Sequence, residues 1–191
     1  MRTIIPKDAK LIPEKAECVF RGQIFDVYQW RQEMYDSSSE TFEMLKRPDT
    51  IKVIAIKDNK IVILNQKQPD SEQSFYDLPG GRHDYEDESE LDAVKRETLE
   101  ETGMTFKNWR LIKVEQPYAK MDWFVYLFLA TDFENQQDQK LDSGEKIKVE
   151  LKTLIELKEL VNRPDAQHLP KELIDSCQSI ENLLNIPEYK N

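Results

Sequence analysis

Glu97, Glu100 and Glu101 stand three and four positions apart in Arg96-Glu97-Thr98-Leu99-Glu100-Glu101-Thr102-Gly103. At ~100° per residue, Glu97 and Glu101 fall ~40° apart on one helix edge, with Glu100 on the other side of Glu97. Arg96, four residues before Glu100, can pair with it. Glu97 has only Ala93, Val94, Glu100 and Glu101 at the positions three and four away, and Glu101 looks back on Glu97 and Thr98. Like charges so spaced cost roughly 0.2–0.5 kcal/mol in water and more where partly buried. A divalent cation relieves that repulsion, and hard carboxylate oxygens suit Mg²⁺. Upstream, Gly80-Gly81 is a turn that lets backbone approach closely. A cation on a helix edge beside a glycine turn suits diphosphate chemistry.

The helix that must carry these groups has Asp87 or Ser89 as its cap, with Glu90 three residues after Asp87 as in a capping box. Gly103 ends it at the C′ position. Leu91, Val94 and Thr98 form the arc expected to face the core. Ala93 lies on the glutamate edge, where its small side chain leaves room for an approaching group. Asp84, Glu86, Asp87, Glu90 and Asp92 read as a solvated acidic face. A calcium loop starting at Asp84 is excluded, because Ser89 and Lys95 occupy its glycine and glutamate positions. Gly144-Glu145-Lys146 lacks the upstream glycine of a phosphate-binding P-loop.

Extended segments surround this helix. The first ~16 residues are mixed and punctuated by proline, and read as a loosely held arm. Cys18 to Tyr35 alternates as a strand broken near Gly22, and Thr41 to Lys46 returns beside it after Asp36-Ser37-Ser38-Ser39. Arg47-Pro48-Asp49 is a boundary. Ile51–Ile56 and Ile61–Leu64 form a hairpin around Lys57-Asp58-Asn59-Lys60. Gln66 to Asp77 is a loop or ragged strand. Trp109–Glu115, Met121–Thr131 and Lys146–Leu151 are further strands, while Thr153–Val161 and Pro170–Asn185 have helical periodicity. This order predicts a mixed sheet flanked by helices, an α/β class.

The 191 residues suit one such domain with an appendage. A formal net charge of −10 argues against nucleic acid as the main partner. Cys18 and Cys177 form no zinc or CxxC spacing, which suits a reduced cytoplasmic setting. No apolar run approaches the ~18 residues of a membrane span, and the N-terminus lacks a signal-peptide apolar region.

From Gly81 to Met104 the chain resembles the Nudix box, G-x5-E-x7-R-E-U-x-E-E-x-G-U with U apolar. Glu88 to Met104 fits apart from Thr98 at an apolar position, and six residues rather than five separate Gly81 from Glu88. The resemblance implies an α/β/α sandwich with an N-terminal antiparallel β appendage. Residues 1–48 would be an arm and hairpin packing across a partner subunit, and residues 49–191 the hydrolase domain. It further implies Mg²⁺, with Mn²⁺ as substitute, held by Glu97, Glu101 and the Gly80 carbonyl, with Glu100 auxiliary. Arg96 would pair with Glu88. The extra residue falls between the Gly80 carbonyl and the helix, so a bulged loop with an unaffected metal ridge is expected.

The rest of the chain is similar to the ADP-ribose and nucleotide-sugar pyrophosphatase branch. The similar segments are Val19 to Val27, Leu45 to Thr50, Leu78 to Arg82 and Leu141 to Glu145. This branch often takes its general base from an acidic loop, here Glu145 with Asp142 second. Arg47 and Arg82 suit phosphate, which guanidinium grips bidentately. Phe25, Tyr28 and Trp30 can stack on a base or simply fill the strand core. His83 and His168 read as loop surface without a role. The implied activity is cleavage of ADP-ribose, or a related nucleoside diphosphate sugar, to a nucleoside monophosphate and a sugar phosphate by a homodimer. Hydrolysis of nucleoside triphosphates or dinucleotide polyphosphates is the alternative enzyme reading. A nucleotide sensor without turnover is disfavoured by the intact glutamates.

Overall fold

Short β-branched and aromatic runs dominate the chain, and they pair into two sheets. The computed structural model describes residues 2–85, 87–166 and 168–190. Glu86, read above as a solvated acid, lies outside them. The strands are β1 (Glu17–Arg21), β2 (Asp26–Glu33), β3 (Ser39–Lys46), β4 (Asp49–Lys57), β5 (Lys60–Lys67), β6 (Phe75–Asp77), β7 (Gly80–His83), β8 (Met104–Glu115), β9 (Met121–Asp122), β10 (Val125–Gln136) and β11 (Lys146–Lys152). The helices are α1 (Glu90–Thr102), α2 (Leu154–Leu160), α3 (Lys171–Ser176) and α4 (Ile180–Leu184).

Alternation along the central strands builds three layers. Ile51, Val53 and Ala55 of β4 join Tyr126, Phe128 and Ala130 of β10 against Ala93 and Val94 of α1. Ile54 and Ile56, with Leu127 and Leu129, face the opposite way onto Leu154, Leu157, Ile174 and Leu183 of the later helices. Side chains alternate at period two, so each strand serves both cores. The result is the expected α/β/α sandwich, its main sheet ordered β11-β5-β4-β10-β8. β4 and β10 run parallel, and β8 is antiparallel to β10.

The hairpin of β4 and β5 opens where the site lies. The two strands pair only at Ile56↔Ile61 and Lys57↔Lys60. Asp58 and Asn59 carry the positive φ values that a two-residue hairpin turn requires. Beyond that turn β4 pairs with β7, and β5 pairs with β6. The segment from Phe75 to His83 therefore lines both arms of a V, pinned by Val53 N–H donating to Pro79 O at 2.9 Å. Lys52 of one arm meets Asp77 of the other at 2.5 Å.

Several expectations change in three dimensions. The arm is not loose. Arg2 binds the buried Asp49 and Asp122. The Thr3 N–H donates to Glu90 at 2.6 Å, and Tyr126 Oη donates to Ile4 O at 2.7 Å. Met121–Thr131 is not one strand: β9 leaves the main sheet to pair with β3, extending the appendage to the order β1-β2-β3-β9. Pro170–Asn185 is two short helices, because the backbone at Cys177 is extended and Ser179 caps a new start. Cys18 and Cys177 are free thiols. Among the described residues no helix is long and apolar enough to cross a membrane.

Candidate active site

α1 carries the glutamates, and its ends are locally encoded. Ser89, not Asp87, is the N-cap, accepting the Asp92 N–H. Glu90 forms no capping box with Asp87 and is no solvated acid. It is 2% exposed and turned to the arm, where Thr3 and the Ile4 N–H satisfy it. Leu91 is exposed instead of core-facing, and Ala93 is fully buried. The packed face is therefore rotated toward the glutamate edge, and the room expected beside Ala93 is filled by core. Thr98 fits a buried apolar position because its hydroxyl donates back to Val94 O at 2.6 Å. Gly103 ends the helix in the left-handed region, its N–H donating to Leu99 O.

Gly80 and Gly81, expected as a turn, instead open strand β7 in register with Lys52 and Ile51 of β4, and from there they touch the glutamate edge directly. Gly80 N–H donates to Glu101 Oε2 at 2.7 Å. A β-carbon on Gly81 would lie 2.5 Å from the Glu97 carboxylate, so only glycine admits this approach. Glu97 does have a base, contrary to the helical-spacing argument. Arg96 Nη1 lies 2.8 Å from Glu97 and 3.1 Å from Glu100. Its Nε and Nη2 grip Glu88 at 2.9 and 3.1 Å, and Tyr85 lies under the guanidinium at 4.7 Å. The pair of Arg96 with Glu88 thus forms across the longer loop. A neighbour one position away was invisible to a count at three and four residues, because Arg96 reaches over the helix surface.

Burial pushes the Glu97 carboxyl up, opposed by Arg96 and assisted by the charges of Glu100 and Glu145. Glu101, deeper still, is pushed well up by burial, against the Gly80 N–H, with Glu97, Glu145 and Asp77 adding repulsion. Among the described residues Arg96 meets Glu97 and Glu100 but is already shared with Glu88, and Lys52 is taken by Asp77. Glu145 arrives because its loop is tied to the C-terminal carbonyls of α1. Lys140 N–H donates to Glu100 O, and Gln137 N–H to Gly103 O, both at 2.8 Å. Within that loop Glu145 accepts the Asp142 N–H at 3.1 Å. Asp142 itself is exposed.

Whether this donor set suits a divalent cation follows from its chemistry. Among the described residues no three acidic or imidazole groups converge into a ready-made cage. Glu97 is turned to Arg96 and Glu101 to Gly80. Mg²⁺ does not require a cage, since it binds through one or two carboxylates, waters and substrate phosphates. Two partly desolvated carboxylates, one of them sharing Arg96 with Glu88 and Glu100, fit that mode.

A second cluster stands at the junction of the two sheets. Arg47 lies over Trp123 at 4.8 Å and beside Phe25 at 5.6 Å. Trp123 is held by Thr50 through its indole N–H at 3.0 Å and stacks on the exposed Tyr118. Burial and the charge of Arg82 lower the Arg47 guanidinium from its ordinary value, with Asp49 opposing. Arg82 is exposed and 3.6 Å from Asp84. Tyr28, mid-strand between Cys18 and Met44, belongs to the appendage sheet, and the rings found against Arg47 are Phe25 and Trp123.

Residues 46–177 match the NUDIX domain pattern. The chain belongs to the NUDIX family. It is 30% identical over 150 residues to the ADP-ribose pyrophosphatase of Bacillus subtilis (strain 168), covering 76% of this chain and 80% of that protein. It is 25% identical over 126 residues to the methanol dehydrogenase activator of Bacillus methanolicus, covering 65% of this chain and 68% of the relative. A crystal structure of an ADP compounds hydrolase superposes with a TM-score of 0.68 at 19% identity, over 85% of this chain and 90% of that one. That likeness concerns the fold.

In this Nudix hydrolase the structure brings Gly80, Arg96, Glu97, Glu100 and Glu101 together, with Glu145 near enough to act on the carboxylates electrostatically. Phe25, Arg47 and Arg82 gather separately, and Tyr28 stays in the appendage sheet. Trp123 and Tyr118 went unnoticed in the sequence. Met121 to Thr131 reads as one strand, so the break at Trp123, where a side chain escapes the alternation of either strand, appears only in the fold. His83 is also misjudged as loop surface: it ends β7 and is 9% exposed. His168 is exposed.

Proposed function

We propose that this Nudix hydrolase cleaves the diphosphate of ADP-ribose, or a closely related nucleoside diphosphate sugar, to a nucleoside monophosphate and a sugar phosphate with Mg²⁺ as cofactor and Mn²⁺ as substitute. The observation that carries it is the under-neutralised pair of half-buried Glu97 and buried Glu101 set against Gly80-Gly81. The similarity to an ADP-ribose pyrophosphatase over most of both chains supports the substrate class.

Glu97 and Glu101, with Glu100 and the Gly80 backbone, would hold the cation. When bound, the cation offsets charge on the diphosphate and lowers the pKa of an attacking water. Glu145 is the candidate to take that water's proton, because its loop is docked on the same helix. Arg96 orients Glu97 and Glu100. Arg47 and Arg82 hold diphosphate oxygens, and Trp123 with Phe25 offers flat faces for a base. Exposed Val19, Phe20 and Ile24 on the appendage support a homodimer.

The test is a panel of ADP-ribose, GDP-mannose and dGTP with Mg²⁺, with and without chelator, and identification of the products. ADP-ribose should be cleaved fastest, to AMP and ribose phosphate, and chelator should abolish turnover. Faster release of pyrophosphate from dGTP would overturn the sugar assignment.

A further inference from the structure

The loop joining β7 to α1 is one residue longer than the box pattern, yet Glu88 still reaches Arg96 with both oxygens. Something must hold the longer loop in register. His83 Nε2 lies 2.7 Å from the Glu88 carbonyl oxygen. A carbonyl only accepts, so Nε2 carries the proton and donates. The backbone under the ring is fixed, since His83 pairs with Asp49 in the β4–β7 ladder, and the residue is 9% exposed. The loop between is cinched once more by Glu88 N–H to Tyr85 O at 3.3 Å.

We propose that His83 is a positioning residue for hydrolysis: its Nε2–H clamps the Glu88 carbonyl, sets the Glu88 carboxylate on Arg96, and through Arg96 orients Glu97 and Glu100. The relay runs from a rigid strand end, across the lengthened loop, to the catalytic helix. His83 touches neither substrate nor cation. Groups that orient metal-binding side chains in this indirect way are commonly worth 10–100-fold in metal affinity or activity. The inference rests on the metal reading of Glu97 and Glu101.

His83→Ala should lower kcat about tenfold while the KM for ADP-ribose stays within about twofold, and Mn²⁺ affinity, read by electron paramagnetic resonance without substrate, should weaken about tenfold. His83→Gln, whose amide places a donor near Nε2, should recover most of both. Because His83 acts through Glu88, adding His83→Ala to Glu88→Ala should change little further. Effects of the two substitutions that multiply, or Mn²⁺ affinity unchanged in a folded His83→Ala variant, would overturn the relay and leave the metal reading standing. A wild-type protein that takes up no Mn²⁺ removes the metal reading itself. Imidazole ¹⁵N spectroscopy on the wild type needs no variant to fold: a protonated Nε2 supports the clamp, and an unprotonated one refutes it.

Discussion

Gly80 and Glu101 are 21 positions apart in sequence, yet the glycine N–H donates to the carboxylate at 2.7 Å. The contact anchors the most buried acid of the ridge to the first residue of β7, inside the V. Glu101 can therefore stay inside a packed face without an ion pair among the described residues, its carboxyl pushed well up by burial.

Glu101→Gln keeps an oxygen for the Gly80 N–H and removes the charge. We expect kcat to fall at least about 100-fold, as loss of several kcal/mol of charge stabilisation implies. Calorimetry should show weakened Mg²⁺ uptake, while the metal-free protein melts higher because the repulsion from Glu97, Glu145 and Asp77 is gone. Unaltered turnover would place hydrolysis elsewhere.

The two glycines should fail differently. A β-carbon on Gly80 meets Ile51 O at 2.1 Å and Lys52 Cα at 2.8 Å, at a φ of +147°. Both obstacles are backbone, so Gly80→Ala should destabilise by about 3 kcal/mol or more. Gly81→Ala strikes the Glu97 carboxylate, a side-chain end that can swing away. It should stay within about 1 kcal/mol of wild type in melting experiments and lose at least roughly tenfold in kcat. Equal losses of stability in both variants would contradict this account.

Raised carboxyl groups also set a pH dependence. Glu97 and Glu101 hold protons more tightly folded than unfolded, where their ordinary value is 4.5. Their contribution to stability is fully present below that value and is lost as pH rises through the folded values. Metal binding displaces those protons, so stabilisation by Mg²⁺ should grow across the same range. Differential scanning calorimetry from acid to mildly alkaline pH, with and without Mg²⁺, checks both signs. In Glu101→Gln the dependence should flatten.

Arg2 bridges Asp49 at the start of β4 and Asp122 in β9, with Phe124 under its guanidinium at 4.4 Å. Removing one partner of a buried ion pair leaves the others unpaired. Arg2→Ala should therefore lose about 3 kcal/mol in urea unfolding. A change below about 0.5 kcal/mol would mean that the arm contributes little to the folded state.

Trp123→Ala strips the ring from Arg47 and unseats Tyr118. Stacking on a base is worth roughly 1–3 kcal/mol, so the KM for ADP-ribose should rise about tenfold. The ridge is untouched, and kcat should move less than about threefold. Steady-state kinetics in which kcat falls and KM holds would relocate Trp123 to the chemistry.

What could be read along the chain was whatever has a short repeat. Helical spacing put Glu97 and Glu101 on one edge, Gly103 announced the stop, and Asp58-Asn59 announced the hairpin. Alternation in β4 and β10 is a local record of two cores. Polar residues leave no such record of their fate. Glu90 and Leu91 exchanged their expected environments because the docked arm brings Thr3 to Glu90, 87 positions away. Arg47 finds Trp123 only because β9 crosses between sheets, and His83 becomes a clamp only because the loop beyond it folds back. A hydrogen bond or ion pair depends on where two distant segments come to rest. Periodicity can specify which face a side chain takes, but the partner waiting there is set by the packing of the whole chain.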